Sequence, residues 1–151
     1  MSAELEVGAC EGERKTVLVV EDNEDDLFLF RRTVEKAGCG LSFHYVRDGE
    51  KAIAYLKGEE PYADRKAHPP PDLVMLDLGL PAEDGFGVLK WIRNGHGRKK
   101  LKVFVVSGWD EQVHVERAMR AGANRFIPKP MGATALQGVE AILEAVSSSN
   151  D

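Results

Sequence analysis

Short, continuous apolar runs alternate along this chain with stretches whose apolar residues recur every three or four positions. The runs are TVLVV from Thr16, Leu73 to Leu76 followed by Asp77, and KVFVV ahead of Ser107, while SFHYV from Ser42 to Val46 and Arg125 to Ile127 read as further short strands. Brevity without polar alternation predicts strands covered on both faces, as in a parallel sheet between helices. The first helix starts at Asn23 or Glu24, keeps Leu27, Phe30, Val34 and Ala37 on one side, and is closed by Gly38. Asp48 caps a second helix through Lys57, with Ala52, Ile53 and Leu56 inward. A third carries Val88, Leu89 and Ile92, and a fourth, from Glu111 to Ala121, buries Val115, Ala118 and Met119. The last runs from about Thr134 and shows Leu136, Val139, Leu143 and Val146. Residues 58–71, GEEPYADRKAHPPP, read as a long polar loop in which Pro69 to Pro71 favour an extended, semi-rigid path into the third strand.

Five β/α units in alternation imply an α/β fold: a doubly wound, five-stranded parallel sheet with right-handed crossovers. One domain over residues 14–146 is expected, between polar tails at 1–13 and 147–151. The strand order 2-1-3-4-5 places its switch point between strands one and three, and ligands gather at the carboxyl ends of strands there. Those two strands end in Glu21-Asp22 and in Asp77, so three carboxylates should converge.

Composition narrows the partners. A net charge of −5 over 151 residues argues against nucleic acid, whose phosphates want a basic surface. No apolar run approaches membrane-spanning length, and the N-terminus lacks a signal-peptide core. Cys10 and Cys39 form neither a disulfide framework nor a metal spacing, which points to a reducing cytoplasm.

Gathered carboxylates repel one another unless a cation or protons offset the repulsion. An all-oxygen cluster suits a hard ion such as Mg2+, which takes one or two carboxylates together with phosphate oxygens. Ser107 ends the fourth strand with a hydroxyl, and Lys129 follows the fifth with an ammonium. Metal, hydroxyl and ammonium around one oxygen of Asp77 would gather the negative charge of a phosphoryl group in transfer. Asp77 is then the nucleophile, forming an aspartyl phosphate.

From about Arg14 to Val146 the chain resembles the receiver domains of bacterial two-component response regulators. Glu21-Asp22 falls on that family's acidic pair, and Asp77, Pro81 and Gly85 reproduce its D-x-x-x-P-x-x-x-G. The resemblance implies a flavodoxin-like receiver fold with Asp77 as phosphoacceptor. It makes Asp22 a direct and Glu21 a water-mediated metal ligand, with the Gly79 carbonyl as a backbone ligand. Ser107 takes the switch hydroxyl position, Phe126 the aromatic that changes rotamer, and Lys129-Pro130 the lysine followed by a cis-proline. VVEDNEDD, the 58–71 loop and DLGLP are similar to single-domain regulators paired with phytochrome-type sensors. The resemblance therefore implies a phosphoprotein fed by a sensor histidine kinase or a histidine phosphotransfer protein, with Mg2+ as cofactor and no turnover of an external substrate. It also implies homodimerisation through helix four, strand five and helix five. Gly79 stands where the family has a larger residue, and Gly108-Trp109 follows Ser107 where alanine and a small or polar residue are usual. Trp109 is open between packing and gating of the site.

Two rivals share parts of this pattern. A magnesium-dependent aspartate-nucleophile phosphatase wants a second acid two residues after the nucleophile, where Gly79 stands. A nucleotide or flavin module wants a glycine-rich phosphate loop after strand one, where EDNEDD would repel phosphate. His44, His68, His96 and His114 lack ligand spacing and read as solvated or core-edge side chains. Arg98-Lys99-Lys100 with Lys102 reads as a solvated basic loop, and Trp91 as a half-buried packing residue.

Overall fold

The five expected strands pair in parallel, in the order β2-β1-β3-β4-β5. The structure, a computed structural model, describes residues 15–37, 40–78, 84–96, 100–108, 112–128, 140, 142, 144 and 145. The strands are β1 (Thr16–Val20), β2 (Ser42–Val46), β3 (Leu73–Asp77), β4 (Lys102–Ser107) and β5 (Arg125–Pro128). Between them lie α1 (Glu24–Ala37), α2 (Gly49–Lys57), α3 (Asp84–Trp91), which continues into a wider turn over Ile92–His96, and α4 (Gln112–Arg120). This is the doubly wound sheet that the alternation predicts.

Side chains of a strand alternate between its faces, and here both faces are covered. Leu18, Val20, Val74, Leu76, Val103 and Val105 enter one core, against α2 and α3. Val17, Val19, Leu73, Met75, Phe104 and Val106 enter the other, against Phe30 and Val34 of α1. Continuous apolar runs follow directly from that double burial. Glu140, Ile142, Glu144 and Ala145 are helical, and Ile142 is fully buried in the second core. Most of the expected fifth helix, including Leu136, Val139, Leu143 and Val146, lies outside the described residues.

Local signals act where their chemistry requires. Asn23 Oδ1 accepts the Asp26 amide at the start of α1. The Asp48 carboxylate accepts the Lys51 amide to cap α2, which Gly58 ends at a φ of 75°. Ala52 is buried and Ile53 and Leu56 are partly so, as the periodicity predicts. Tyr55, which that stripe omits, is the most enclosed large side chain of α2.

One core assignment is overturned. Met119 is 43% exposed, and Val115 is only half-buried. Helix α4 turns Ala118 inward, and Met119 lies about 100° further round the helix. The guanidinium of Arg117 meanwhile stacks 3.7 Å from the centre of the Phe86 ring on α3. Helix α4 thus packs inward through a small residue and reaches α3 through a cation–π contact, where the sequence suggested a broad apolar stripe.

At the amino ends of β4 and β5, Arg93 ties three segments together. Its Nε donates to Gly122 O at 2.9 Å, Nη1 to Leu101 O at 2.6 Å, and Nη2 to Asn124 Oδ1 at 2.9 Å. The same Asn124 oxygen accepts the Val103 amide. Among the described residues no helix is long and apolar enough to cross a membrane.

Candidate metal and phosphoryl site

Pairing of β1 with β3 sets Val20 beside Leu76, so the next residues, Glu21 and Asp77, emerge together at the carboxyl edge. Glu21, Asp22 and Asp77 each offer a carboxylate oxygen, and these oxygens lie within 4.8 Å of one another. The convergence expected from strand order is therefore realised. Glu21 is 5% exposed and Asp77 4%, while Asp22 is half-buried. Below them is an apolar floor that includes Val20, Phe30, Met75 and Val106.

The backbone around these acids is held on each side. Glu21 donates its amide to Val46 O, and its carboxylate accepts the Asn23 amide at 3.1 Å. The Leu78 amide donates to Val106 O, keeping the chain beyond Asp77 against β4. Arg47 reaches Glu24 at 3.2 Å and the Asp22 carbonyl at 3.5 Å, bracing the start of α1. Gly85 has a steric cause: a Cβ there would lie 2.7 Å from Asp77 O and 2.8 Å from Leu78 Cα. Any side chain at 85 would push the backbone that carries Asp77.

Ser107 ends β4 fully buried, one place beyond the partner of Asp77, and pairs with Pro128 of β5. Phe126 lies on β5 opposite Val105 and is half-buried against the first core. The structure thus gathers Glu21, Asp22 and Asp77 and puts Ser107 at the same edge. Gly79, Pro81, Trp109, Lys129 and Pro130 lie outside the described residues.

The donor set fits a hard divalent cation: three carboxylates, two of them buried, without a histidine or thiolate among them. Strand-end position made the acids visible in sequence. Gly85 was visible as part of a motif, but its near contact with the Asp77 carbonyl could only come from the fold.

The chain matches the response regulator receiver domain over residues 17–140 and belongs to that family. Polar-differentiation response regulator DivK of Brucella ovis is 30% identical over 117 residues, 78% of this chain and 85% of DivK. Among solved structures, the response regulator RPA3017 in red light signaling of R. palustris superposes with a TM-score of 0.82 at 28% identity, covering 90% of this chain and 96% of that one. The phosphorylated cyanobacterial phytochrome response regulator RcpA gives 0.78 at 31%, covering 92% and 98%. The Mn2+-bound form of response regulator Rcp1 gives 0.74 at 26%, covering 91% and 97%. This protein is accordingly a signalling receiver domain of the two-component type, and its structural neighbours include phytochrome response regulators. The phosphatase alternative finds no support.

Proposed function

We propose that the protein accepts a phosphoryl group on Asp77 from a phosphohistidine, on a sensor histidine kinase of the phytochrome type or on a histidine phosphotransfer protein. The observation that carries this reading is the meeting of three carboxylate oxygens within 4.8 Å at the switch point, with buried Ser107 ending the adjacent strand. Glu21, Asp22 and Asp77 would hold Mg2+, together with the Gly79 carbonyl that the family pattern supplies. When bound, the cation supplies positive charge to the phosphoryl oxygens and to the attacking carboxylate.

An Asp77 carboxylate oxygen attacks phosphorus, the P–N bond to the donor imidazole breaks, and its electron pair returns to the ring nitrogen. With a proton on the other ring nitrogen as the bond breaks, the products are an aspartyl phosphate and a neutral imidazole. Glu21 and Asp77 are held by their strands before reaction, so little reorganisation is needed. Ser107 donates its hydroxyl to a phosphoryl oxygen, and Lys129 offsets the added charge. The reaction is one of self-modification, suited to a cytoplasmic protein that signals by changing its surface. Phe126 follows Ser107 inward, and the α4–β5 face with the fifth helix serves as a homodimer contact in the phosphorylated state.

Incubation with a small phosphodonor, with and without Mg2+, tests the chemistry. Labelling that is alkali-labile, lost with chelator and absent in Asp77→Asn is expected. Undiminished labelling of Asp77→Asn would overturn the assignment. Sedimentation with a beryllofluoride phosphate mimic tests the dimer, which a monomer at every concentration would remove.

A further inference from the structure

The 58–71 loop is longer than the connection between α2 and β3 requires, and the proposed phosphoryl chemistry leaves it without a role. It folds back over α2 and the edge strand β2. Tyr55 donates its hydroxyl to Pro69 O at 2.9 Å, and Arg65 Nη1 donates to the carbonyls of Tyr55 and Tyr62 at 2.9 and 3.1 Å. The rings of Tyr55, Tyr62 and His68 meet pairwise at centroid separations of 5.1 to 5.9 Å. His44, from the middle of β2, completes the group 5.8 Å from Tyr55 and 6.2 Å from His68. Two histidines 24 positions apart in sequence thus face one another inside an aromatic cluster.

Their surroundings suit neutral rings. His68 Nδ1 is buried without a hydrogen-bond partner, and His44 Nε2 lies 3.3 Å from the Ser42 hydroxyl. Among the described residues, the ionisable rings against the pair are Tyr55 from α2 and Tyr62 from the loop, and the Arg65 guanidinium lies over the Tyr55 ring at 5.6 Å. Asp64, at the loop's base, spends its Oδ1 on the Lys66 and Ala67 amides. A proton on His44 would set a cation against the His68 ring in a partly dry environment.

We propose that residues 58–71 form a proton-operated clasp, closed over β2 and α2 while His44 is neutral against the His68 ring and released when His44 takes up a proton. Release exposes the aromatic surface of Tyr55 and Tyr62 beside the edge of the sheet. Burial, and then the charge of His68, hold the His44 pKa below its ordinary value. The sign follows: closure is fully favoured above the open-state value of about 6.5 and is lost as pH falls toward the lower closed-state value.

The test is amide hydrogen exchange on the full chain between pH 8 and pH 5, with rates corrected for intrinsic pH dependence. The Tyr62 and His68 amides, bonded to Glu59 O and Asp64 O, report the clasp, and the β3 amides serve as reference. Protection of the two loop amides should fall several-fold as pH drops below about 6.5, while β3 stays protected. The double variant His44→Gln, His68→Gln should abolish the pH dependence. Loop protection that is constant with pH, or a fall that survives in the double variant, would overturn the clasp. Should that variant not fold, histidine ring shifts of the native chain decide: titration in step with the loop amides supports the clasp, and titration in a separate window overturns it.

Discussion

Gly85 and Tyr55 act through contacts that their neighbours in sequence do not announce. With Asp77 O 2.7 Å from where a Cβ would lie, Gly85→Ala must shift the backbone behind the phosphoacceptor. Such overpacking should cost about 1–3 kcal/mol in urea denaturation, and phosphodonor labelling of Asp77 should slow as well. Tyr55 is pushed up to about 12, chiefly by burial, so its hydroxyl remains a donor to Pro69. A raised folded-state value stabilises the fold below the ordinary tyrosine range, and that contribution is lost as pH rises from 10 through about 12. Alkaline unfolding should therefore show a component over this interval that is missing in Tyr55→Phe. The acids were readable in sequence because a carboxylate ending an apolar strand is conspicuous. Tyr55 was not, because its partners come from a loop up to 14 residues away and because a tyrosine beside an apolar stripe reads as its margin.

Among the elements, the strands and α1 were legible, since double burial leaves unbroken apolar runs and Leu27, Phe30 and Val34 repeat at helical spacing. The inward side of α4 was not legible. Val115, Ala118 and Met119 are equally acceptable to periodicity, and only the packed fold, with Ala118 enclosed and Arg117 over Phe86 of α3, distinguishes them. Met119→Lys should accordingly leave thermal stability within about 0.5 kcal/mol. Ala118→Leu, at a position with no exposure, should destabilise by about 1–3 kcal/mol. The reverse ranking in a denaturation series would return Met119 to the core. The path of residues 58–71 was also hidden, because their composition specifies a loop without specifying what it covers.

At the scale of the whole molecule, the sheet order brings like charges together and leaves the fold with a local conflict. Glu21 and Asp77 are buried within 4.8 Å of each other and of Asp22. In chelator, Asp77→Asn should melt at a higher temperature than the native chain, because it removes one of three mutually repelling charges. Saturating Mg2+ should stabilise the native chain by about 2.7 kcal/mol at a hundredfold excess over its dissociation constant, and the variant by less. Equal shifts in both would separate Asp77 from the metal.

The clamp made by Arg93 bears on how such a site can communicate. Its three hydrogen bonds fasten the amino ends of β4 and β5, at Leu101, Gly122 and Asn124. Ser107 and Pro128 stand at the other ends of the same two strands. A pull on the Ser107 hydroxyl would therefore enter β4 and β5 at the ends opposite that anchor, so any shift it caused would have to run along the strands to reach Arg93.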